Sequence, residues 1–175
     1  MENLIKTEVE LIANPKIKQF TYGILSKAPT YFWKIPSSSS GKYHPADENG
    51  VGGLVLHVRR AAKIAEDLCR NFEVEGDDRD CVIAATIIHD CVKNGYPDDS
   101  TKTVTGHGAL LCLLIGNYTD GKAVTEDRNL KTIMRLACNH MGKWDFPYSS
   151  KRDIMEIIIA ASDYVSSRNY IQINV

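Results

Sequence analysis

The segment Val82-Ile83-Ala84-Ala85-Thr86-Ile87-Ile88-His89-Asp90 is an apolar run that ends in an imidazole and a carboxylate. An apolar run without a polar face is typical of a helix that is buried on all sides. Two polar side chains at the end of a buried helix are costly unless a partner compensates them, and a divalent cation is such a partner. The segment therefore predicts a helical core with a metal site.

Two further polar residues lie in apolar surroundings elsewhere in the chain. His57 lies on a predicted helix upstream of this segment, and Asp163 adjoins the apolar stretch Ile157–Ser162. Two imidazoles and two carboxylates offer nitrogen and oxygen ligands, which suit Mn²⁺, Fe²⁺, Co²⁺, Ni²⁺ or Zn²⁺ better than Mg²⁺. A histidine on a helix is more often a satisfied core or surface residue, so spacing alone supports the metal and the structural interpretation about equally.

Length and charge restrict the class of protein. The chain has 175 residues, 43% of them hydrophobic and 25% charged, which is typical of one globular domain with a single core. The formal net charge is −1, and no basic block of the kind that grips a long nucleic-acid backbone is present. No apolar run approaches the roughly 20 residues that a membrane span requires. We therefore expect no membrane contact and a small substrate.

The five cysteines are scattered and never spaced as Cys-x-x-Cys. Most of them lie in apolar helical patterns, where cysteine acts as a small hydrophobic residue. This spacing argues against a zinc ribbon, and together with the absence of a signal peptide it predicts a reducing, cytoplasmic compartment.

The apolar periodicity predicts an all-α fold with almost no alternating strand pattern. We expect one domain over residues 1–175, with N-terminal helices over 1–27, a substrate-side loop over 28–53 and a metal-binding helical core over 54–168. The predicted helices are Leu4–Ile12, Ile17–Leu25, Gly53–Leu68, Arg79–Cys91, His107–Ile115, Glu126–His140 and Lys151–Arg168.

The predicted loop carries more aromatic and basic side chains than a spacer needs. Lys42, Tyr43 and His44 are candidates for contact with a phosphate or a base, although an exposed loop explains them equally well. Trp33 is a candidate for stacking on a base, and core packing is the more common role for a tryptophan in this setting. We interpret the segment as a binding loop.

Five segments in order resemble the HD-domain metal-dependent phosphohydrolases, whose signature is H…HD…D. The resemblance covers about Tyr31 to Ser166 and lies in Gly52–His57 ("GGLxxH"), His89–Lys93 ("HDxGK"), Gly106–Gly108 ("GH"), Asn139–Gly142 ("HHG") and Asp163. Two positions depart from the pattern: Val92 replaces a glycine, and Asn139 replaces the first histidine of "HHG".

The resemblance implies an all-α HD bundle and assigns roles to particular residues. His57, His89, Asp90 and Asp163 would hold one divalent ion tightly. His107 and His140 would hold a second, weaker ion or contact the substrate, since Asn139 removes one ligand of that site.

Asp90 is placed to bridge two ions and to take part in catalysis, and Lys93 would supply charge to the substrate phosphate. The alternative for Lys93 is a solvated lysine at a helix end. Lys151 is a further candidate for a phosphate contact, with ordinary surface lysine as its alternative.

The function that follows is hydrolysis of a phosphoester or phosphoanhydride of a nucleotide by metal-activated water. The compact chain is similar to dNTP triphosphohydrolases and nucleotidases of this family, including small dATP-hydrolysing members from phages. The alternatives are a 3′–5′ exonuclease on single-stranded nucleic acid and a non-catalytic nucleotide sensor. Whether the chain forms a homo-oligomer stays open.

Overall fold

The computed structural model describes residues 2–97, 99–119, 126–141 and 152–175, and over these ranges the chain is helical without a strand. The all-α prediction is confirmed. The helices are α1 (Lys6–Val9), α2 (Pro15–Lys27), α3 (Gly53–Asn71), α4 (Gly76–Ile88), α5 (His107–Thr119), α6 (Arg128–Cys138) and α7 (Ile154–Ser166). Short 3₁₀ helices span Glu2–Leu4, Thr30–Trp33 and Ala46–Glu48.

Helix α4 is the centre of the bundle. It packs against α1, α2, α3, α6 and α7, and its residues from Asp80 onward are buried. The apolar run Val82–Ile88 is therefore surrounded by other helices, as the absence of a polar face predicts. His89 and Asp90 directly follow this helix and are buried with it.

Local signals set the helix starts. Asn14 caps α2 through its side chain, with Pro15 as the first residue, so α2 begins two residues before the predicted Ile17. Asp153 forms a capping box with Glu156, so α7 begins at Ile154, three residues later than the predicted Lys151. Helix α4 begins at Gly76, earlier than the predicted Arg79, because a glycine with a φ of 57° lets the chain turn directly into the helix.

The segment over residues 28–53 is folded tightly onto the bundle. The backbone N–H of Ser37 donates to the Glu48 carbonyl at 3.0 Å, and that of Gly52 donates to the Lys34 carbonyl at 3.1 Å. A side chain at Gly53 would collide with the carbonyl of Glu48, which explains the glycine at the start of α3. The irregular composition correctly indicates a loop, and backbone hydrogen bonds between distant parts of this loop fix its conformation.

The five cysteines divide into three free thiols and one disulfide. Cys69, Cys81 and Cys91 are buried free thiols, whereas Cys112 and Cys138 form a disulfide between α5 and α6. These two helices come close because Gly108 has no side chain to meet the carbonyl of Cys138. Sequence spacing alone carries no sign of this pairing, since the two residues lie on separate helices. None of the described helices has the length and hydropathy that crossing a bilayer requires.

Candidate metal centre

Three helices bring His57, His89, Asp90 and Asp163 together in the bundle. His57 lies on α3 and Asp163 on α7, with His57 Nε2 3.1 Å from Asp163 Oδ1. His89 Nε2 lies 3.7 Å from the same oxygen and 3.5 Å from Asp90 Oδ2. His57 Nε2 lies 3.8 Å from Asp90 Oδ2. These distances allow all four side chains to reach one ion, since metal–ligand bonds are about 2 Å long.

The tautomers of His57 and His89 leave their Nε2 atoms without a hydrogen. His89 Nδ1 donates to the Thr86 carbonyl at 2.6 Å. His57 Nδ1 lies 3.2 Å from Ser166 Oγ, and that hydroxyl in turn donates to the Asp163 carbonyl at 2.9 Å, so the imidazole is the donor. Fixing Nδ1 in this way is how proteins aim Nε2 at a metal.

Both Nε2 atoms are buried and have no hydrogen-bond partner among the described residues. Buried polar atoms without a partner are rare in folded proteins. Here each one faces the carboxylate oxygens of Asp90 and Asp163, so lone pairs oppose lone pairs. A cation between them removes this conflict, and the residues present therefore fit a divalent metal.

A second imidazole pair lies on the other side of Asp90. His107 Nδ1 lies 3.1 Å from the Val104 carbonyl and His140 Nδ1 lies 2.7 Å from the Ala137 carbonyl, so both rings donate from Nδ1. Their Nε2 atoms are 3.1 Å apart, and lie 3.1 Å and 3.7 Å from Asp90 Oδ1. Two nitrogen lone pairs at this distance repel each other unless a cation or a proton lies between them.

The carboxylates are strongly acidic in this setting. Burial would raise the pKa of Asp90, but the charge of Lys93 and the neighbouring His89 and His107 hold it well below its usual range. Burial likewise opposes ionisation of Asp163, and His57 and His89 hold its pKa well below the usual range. Both side chains therefore carry a negative charge at neutral pH.

The imidazoles differ in their affinity for protons. Burial lowers the pKa of His57, and burial with the nearby His89 and His107 lowers the pKa of His140 to about 3. Burial also opposes a proton on His89, but Asp90 and Asp163 outweigh it and raise its pKa. A proton and a metal therefore compete for the Nε2 atom of His89.

The HD domain model matches residues 54–168, which is more than half of the chain. This range holds every one of the imidazole and carboxylate residues described above. The chain belongs to the HD domain family. The resemblance drawn from the sequence is thereby confirmed, and it supports a metal-dependent phosphohydrolase. The similarity to small phage enzymes stays a prediction.

Among curated proteins, this HD domain chain is similar to the 3′-5′ exoribonuclease YhaM of Halalkalibacterium halodurans. The two are 28% identical over 142 residues, which cover 77% of this chain and 42% of that protein. The chain thus spans less than half the length of this relative. No solved structure matches the chain significantly.

Lys93 is the cation nearest to the centre of this HD domain among the predicted residues. Its Nζ lies 2.6 Å from Asp90 Oδ2, and its side chain is only 12% exposed. Burial would lower the pKa of Lys93, but Asp90 and Asp163 raise it above its ordinary value, so it stays charged.

A small cleft of about 60 Å³ opens beside this lysine. Among the described residues, its lining offers hydroxyl and amide groups and no carboxylate: Ile35, Pro36, Ser37, Ser39, Lys93, Asn94, Thr101 and Thr103. A lining of hydrogen-bond donors with one ammonium group is suited to a phosphate or a sugar.

His44 is the fifth histidine of this group. Its ring centroid lies 4.9 Å from that of His57, and its Nδ1 lies 2.8 Å from Glu48 Oε2. Glu48 is fully buried and also accepts from Arg60 Nη1 at 2.7 Å. The predicted binding loop therefore reaches the metal centre at His44.

The other predicted substrate contacts lie in different environments. Tyr43 is 51% exposed, and Lys42 is an exposed neighbour whose Nζ lies 5.2 Å from the Tyr43 ring centroid. Trp33 is buried in the core with its ring centroid 4.8 Å from that of Phe32, so packing, the alternative given above, describes its surroundings. Lys151 lies outside the described residues.

Sequence reasoning did not single out Glu48 or Ser166. Glu48 follows His44 by four positions, a spacing that brings side chains together in a helical turn. Ser166 follows Asp163 by three positions on α7, so both reach His57 from the same helix face. The spacings were visible, but their relation to His57 depends on how three segments pack.

Proposed function

We propose that the chain is a metal-dependent phosphodiesterase that removes nucleotides from the 3′ end of single-stranded nucleic acid. The observation that carries the chemistry is the position of Asp90 between two pairs of imidazoles, each pair with its Nε2 atoms aimed at one carboxylate oxygen. This arrangement supports a centre for two cations, which is well suited to phosphoryl transfer.

The residues that would hold metal divide into two groups. His57, His89 and Asp163 would hold one ion together with Asp90 Oδ2. His107 and His140 would hold a second, more weakly bound ion together with Asp90 Oδ1. When bound, divalent ions polarise a phosphoryl oxygen and make a water molecule more acidic.

The protein's own groups orient and neutralise the substrate. Lys93 carries its positive charge at the boundary between Asp90 and the hydroxyl-lined cleft, so it can neutralise charge on a phosphate that enters the cleft. Ser166, Thr86, Val104 and Ala137 keep the four imidazoles in one tautomer. The burial of the ligands limits the entry of water other than the attacking molecule.

The choice of a nucleic-acid end follows the similarity to an exoribonuclease. This similarity favours a 3′–5′ exonuclease over the small-nucleotide hydrolase that the sequence alone favours. A small nucleotide, as a dNTP triphosphohydrolase or nucleotidase would use, stays the second candidate. It is favoured by the net charge of −1 and by the lack of a basic block in the sequence.

Product analysis with Mn²⁺ or Co²⁺ tests the proposal. The protein is incubated with 5′-labelled single-stranded RNA and DNA and, separately, with a panel of nucleoside mono- and triphosphates. We expect a ladder of strands shortened from the 3′ end and release of mononucleotides. Release of phosphate or triphosphate from free nucleotides with intact strands would support the second candidate instead. If neither class of substrate is hydrolysed by protein that holds metal, the proposal fails.

A further inference from the structure

Two exposed tyrosines, an exposed lysine and a half-buried arginine form a patch outside the residues assigned to the metal centre. The guanidinium carbon of Arg168 lies 4.4 Å from the Tyr164 ring centroid and 5.5 Å from the Tyr43 ring centroid. Lys42 Nζ lies 5.2 Å from the Tyr43 ring centroid. The two tyrosines are 55% and 51% exposed. We call these four side chains the Tyr-Arg ledge.

No carboxylate of the described residues forms an ion pair with the positive charges of the ledge. Within the part of the chain that the structure describes, Arg168 makes one side-chain hydrogen bond, from Nη2 to Ser167 Oγ at 2.8 Å, and no ion pair. Its Nε is buried without a hydrogen-bond partner. By contrast, Arg60 pairs with both Asp47 and Glu48. Arg168 therefore offers a positive charge between two exposed aromatic rings. Such a surface is complementary to a ligand that carries both negative charge and planar rings.

The ledge adjoins the metal centre along two chain segments. Tyr164 directly follows Asp163 on α7, and Tyr43 directly precedes His44, whose ring centroid lies 4.9 Å from that of His57. The side-chain amide of Asn169 donates to the Lys42 carbonyl at 3.3 Å, which links the two segments. A ligand on the ledge is therefore next to a substrate in the centre.

We propose that the Tyr-Arg ledge binds the unpaired nucleotides that adjoin the scissile phosphodiester of a single strand. Bases stack on Tyr43 and Tyr164, and Arg168 and Lys42 contact the connecting phosphates. Every base has a flat face that stacks on an aromatic ring, whereas a base-paired strand keeps those faces within its own stack. This inference rests on the proposed function and adds a binding surface outside the residues assigned to the reaction.

Binding measurements without turnover test the ledge. The Kd of a fluorescein-labelled single-stranded oligouridylate is measured by anisotropy in the presence of a chelator. We expect Tyr164→Leu and Arg168→Gln each to weaken binding by about tenfold, the scale of one lost stacking contact. Tyr164→Phe, which keeps the ring, should bind as the wild type does. Tyr170→Leu is the matched control, since Tyr170 is a 75% exposed tyrosine outside the ledge.

Several outcomes overturn the inference. The inference fails if the wild type does not bind the strand, or if it binds duplex and single strand with equal affinity. It also fails if Tyr164→Leu binds as tightly as the wild type, or if Tyr164→Phe loses as much affinity as Tyr164→Leu.

Hydrolysis of the p-nitrophenyl ester of thymidine 5′-monophosphate, measured with Mn²⁺ on the wild type, separates the two proposals. If the ester is cleaved and the strand is not bound on the ledge, the inference fails and the phosphodiesterase stands. If ester and strands are not cleaved but the binding series holds, the phosphodiesterase fails and the ledge stands.

Discussion

His107 Nε2 lies 3.1 Å from His140 Nε2, while each ring commits its Nδ1 hydrogen to a backbone carbonyl. Two acceptors this close repel each other unless a positive charge lies between them. Asp90 Oδ1 lies 3.1 Å and 3.7 Å from the two nitrogens, and we propose that this group holds the second, weaker cation. Asn139, which stands in place of a further histidine, is exposed and donates to the Arg135 carbonyl at 2.9 Å.

We expect His140→Ala to remove the weaker ion and keep the tighter one, because His57, His89 and Asp163 are untouched. Metal titration by calorimetry should change from about two binding events to about one, as for a two-metal centre that loses one site. Asn139→Ala is the control, since its side chain is exposed and donates to the Arg135 carbonyl, and it should titrate like the wild type. Loss of both ions in His140→Ala would contradict the division into two groups.

Gly108 should be essential to the His107–His140 pair. A side chain there meets the Cys138 carbonyl, so Gly108→Ala forces α5 away from α6 and should lower the free energy of unfolding by about 1–3 kcal/mol. Gly116→Ala on the same helix is the control, because no atom of the described residues lies within 4 Å of a side chain added there. That variant should be stabilised by up to about 1 kcal/mol through helix propensity. Urea unfolding measures the free energy of unfolding of both variants. Equal changes in the two variants would show that the close approach of Gly108 to the Cys138 carbonyl does not determine stability.

Lys93→Ala should reduce turnover by about 10²-fold, the effect of removing one group that stabilises charge in the transition state. Its metal content should stay unchanged, because the charged ammonium group of Lys93 is not a ligand. The exposed Lys102→Ala, on the loop between Lys93 and α5, is the control and should keep wild-type turnover. If Lys93→Ala retains full activity, the lysine acts only as the structural partner of Asp90.

Glu48 should contribute to stability in a pH-dependent way. Burial would raise its pKa, but hydrogen bonds from His44 and Arg60 and the nearby His57 lower it below the ordinary value of 4.5. A carboxyl with a lowered folded pKa stabilises the protein above its unfolded pKa and loses that contribution as the pH falls. We expect Glu48→Gln to cost about 2–4 kcal/mol at pH 7, since it leaves Arg60 partly unpaired.

The control for Glu48 is Asp67→Asn, a 53% exposed carboxylate in surface pairs, which should change stability by less than about 0.5 kcal/mol. Urea unfolding of wild type and Glu48→Gln at pH 7 and near pH 4 measures the dependence. The difference between them should shrink at the lower pH. A difference that grows as the pH falls would contradict the assignment of a charged, buried Glu48.

The parts of the account that sequence could predict are those in which one segment carries its own signal. The run from Val82 to Asp90 predicts a buried helix with polar residues at its end, and α4 has these properties. The apolar spacing predicts a helix over Ile17–Leu25, and α2 covers this range with two further residues at each end. Each of these features depends on residues that are neighbours in the chain.

The parts that sequence missed depend on packing between distant segments. Glu48 meets Arg60 because the loop folds back onto α3, and Arg168 meets Tyr43 because the C-terminal end of α7 lies beside the same loop. The Cys112–Cys138 disulfide likewise requires α5 and α6 to touch. None of these contacts leaves a periodic pattern, so only the folded chain reveals them.

Elemental analysis shows whether His57, His89, Asp90 and Asp163 hold a divalent ion. The protein is stripped with a chelator, reconstituted with Mn²⁺, Fe²⁺, Co²⁺, Ni²⁺ or Zn²⁺, dialysed and analysed, with Asp90→Ala treated in parallel. We expect the wild type to retain at least one ion per chain through dialysis, and Asp90→Ala, with its helical circular dichroism intact, to retain none. A folded wild type without metal after reconstitution, or a Asp90→Ala variant with the full wild-type content, would contradict this expectation.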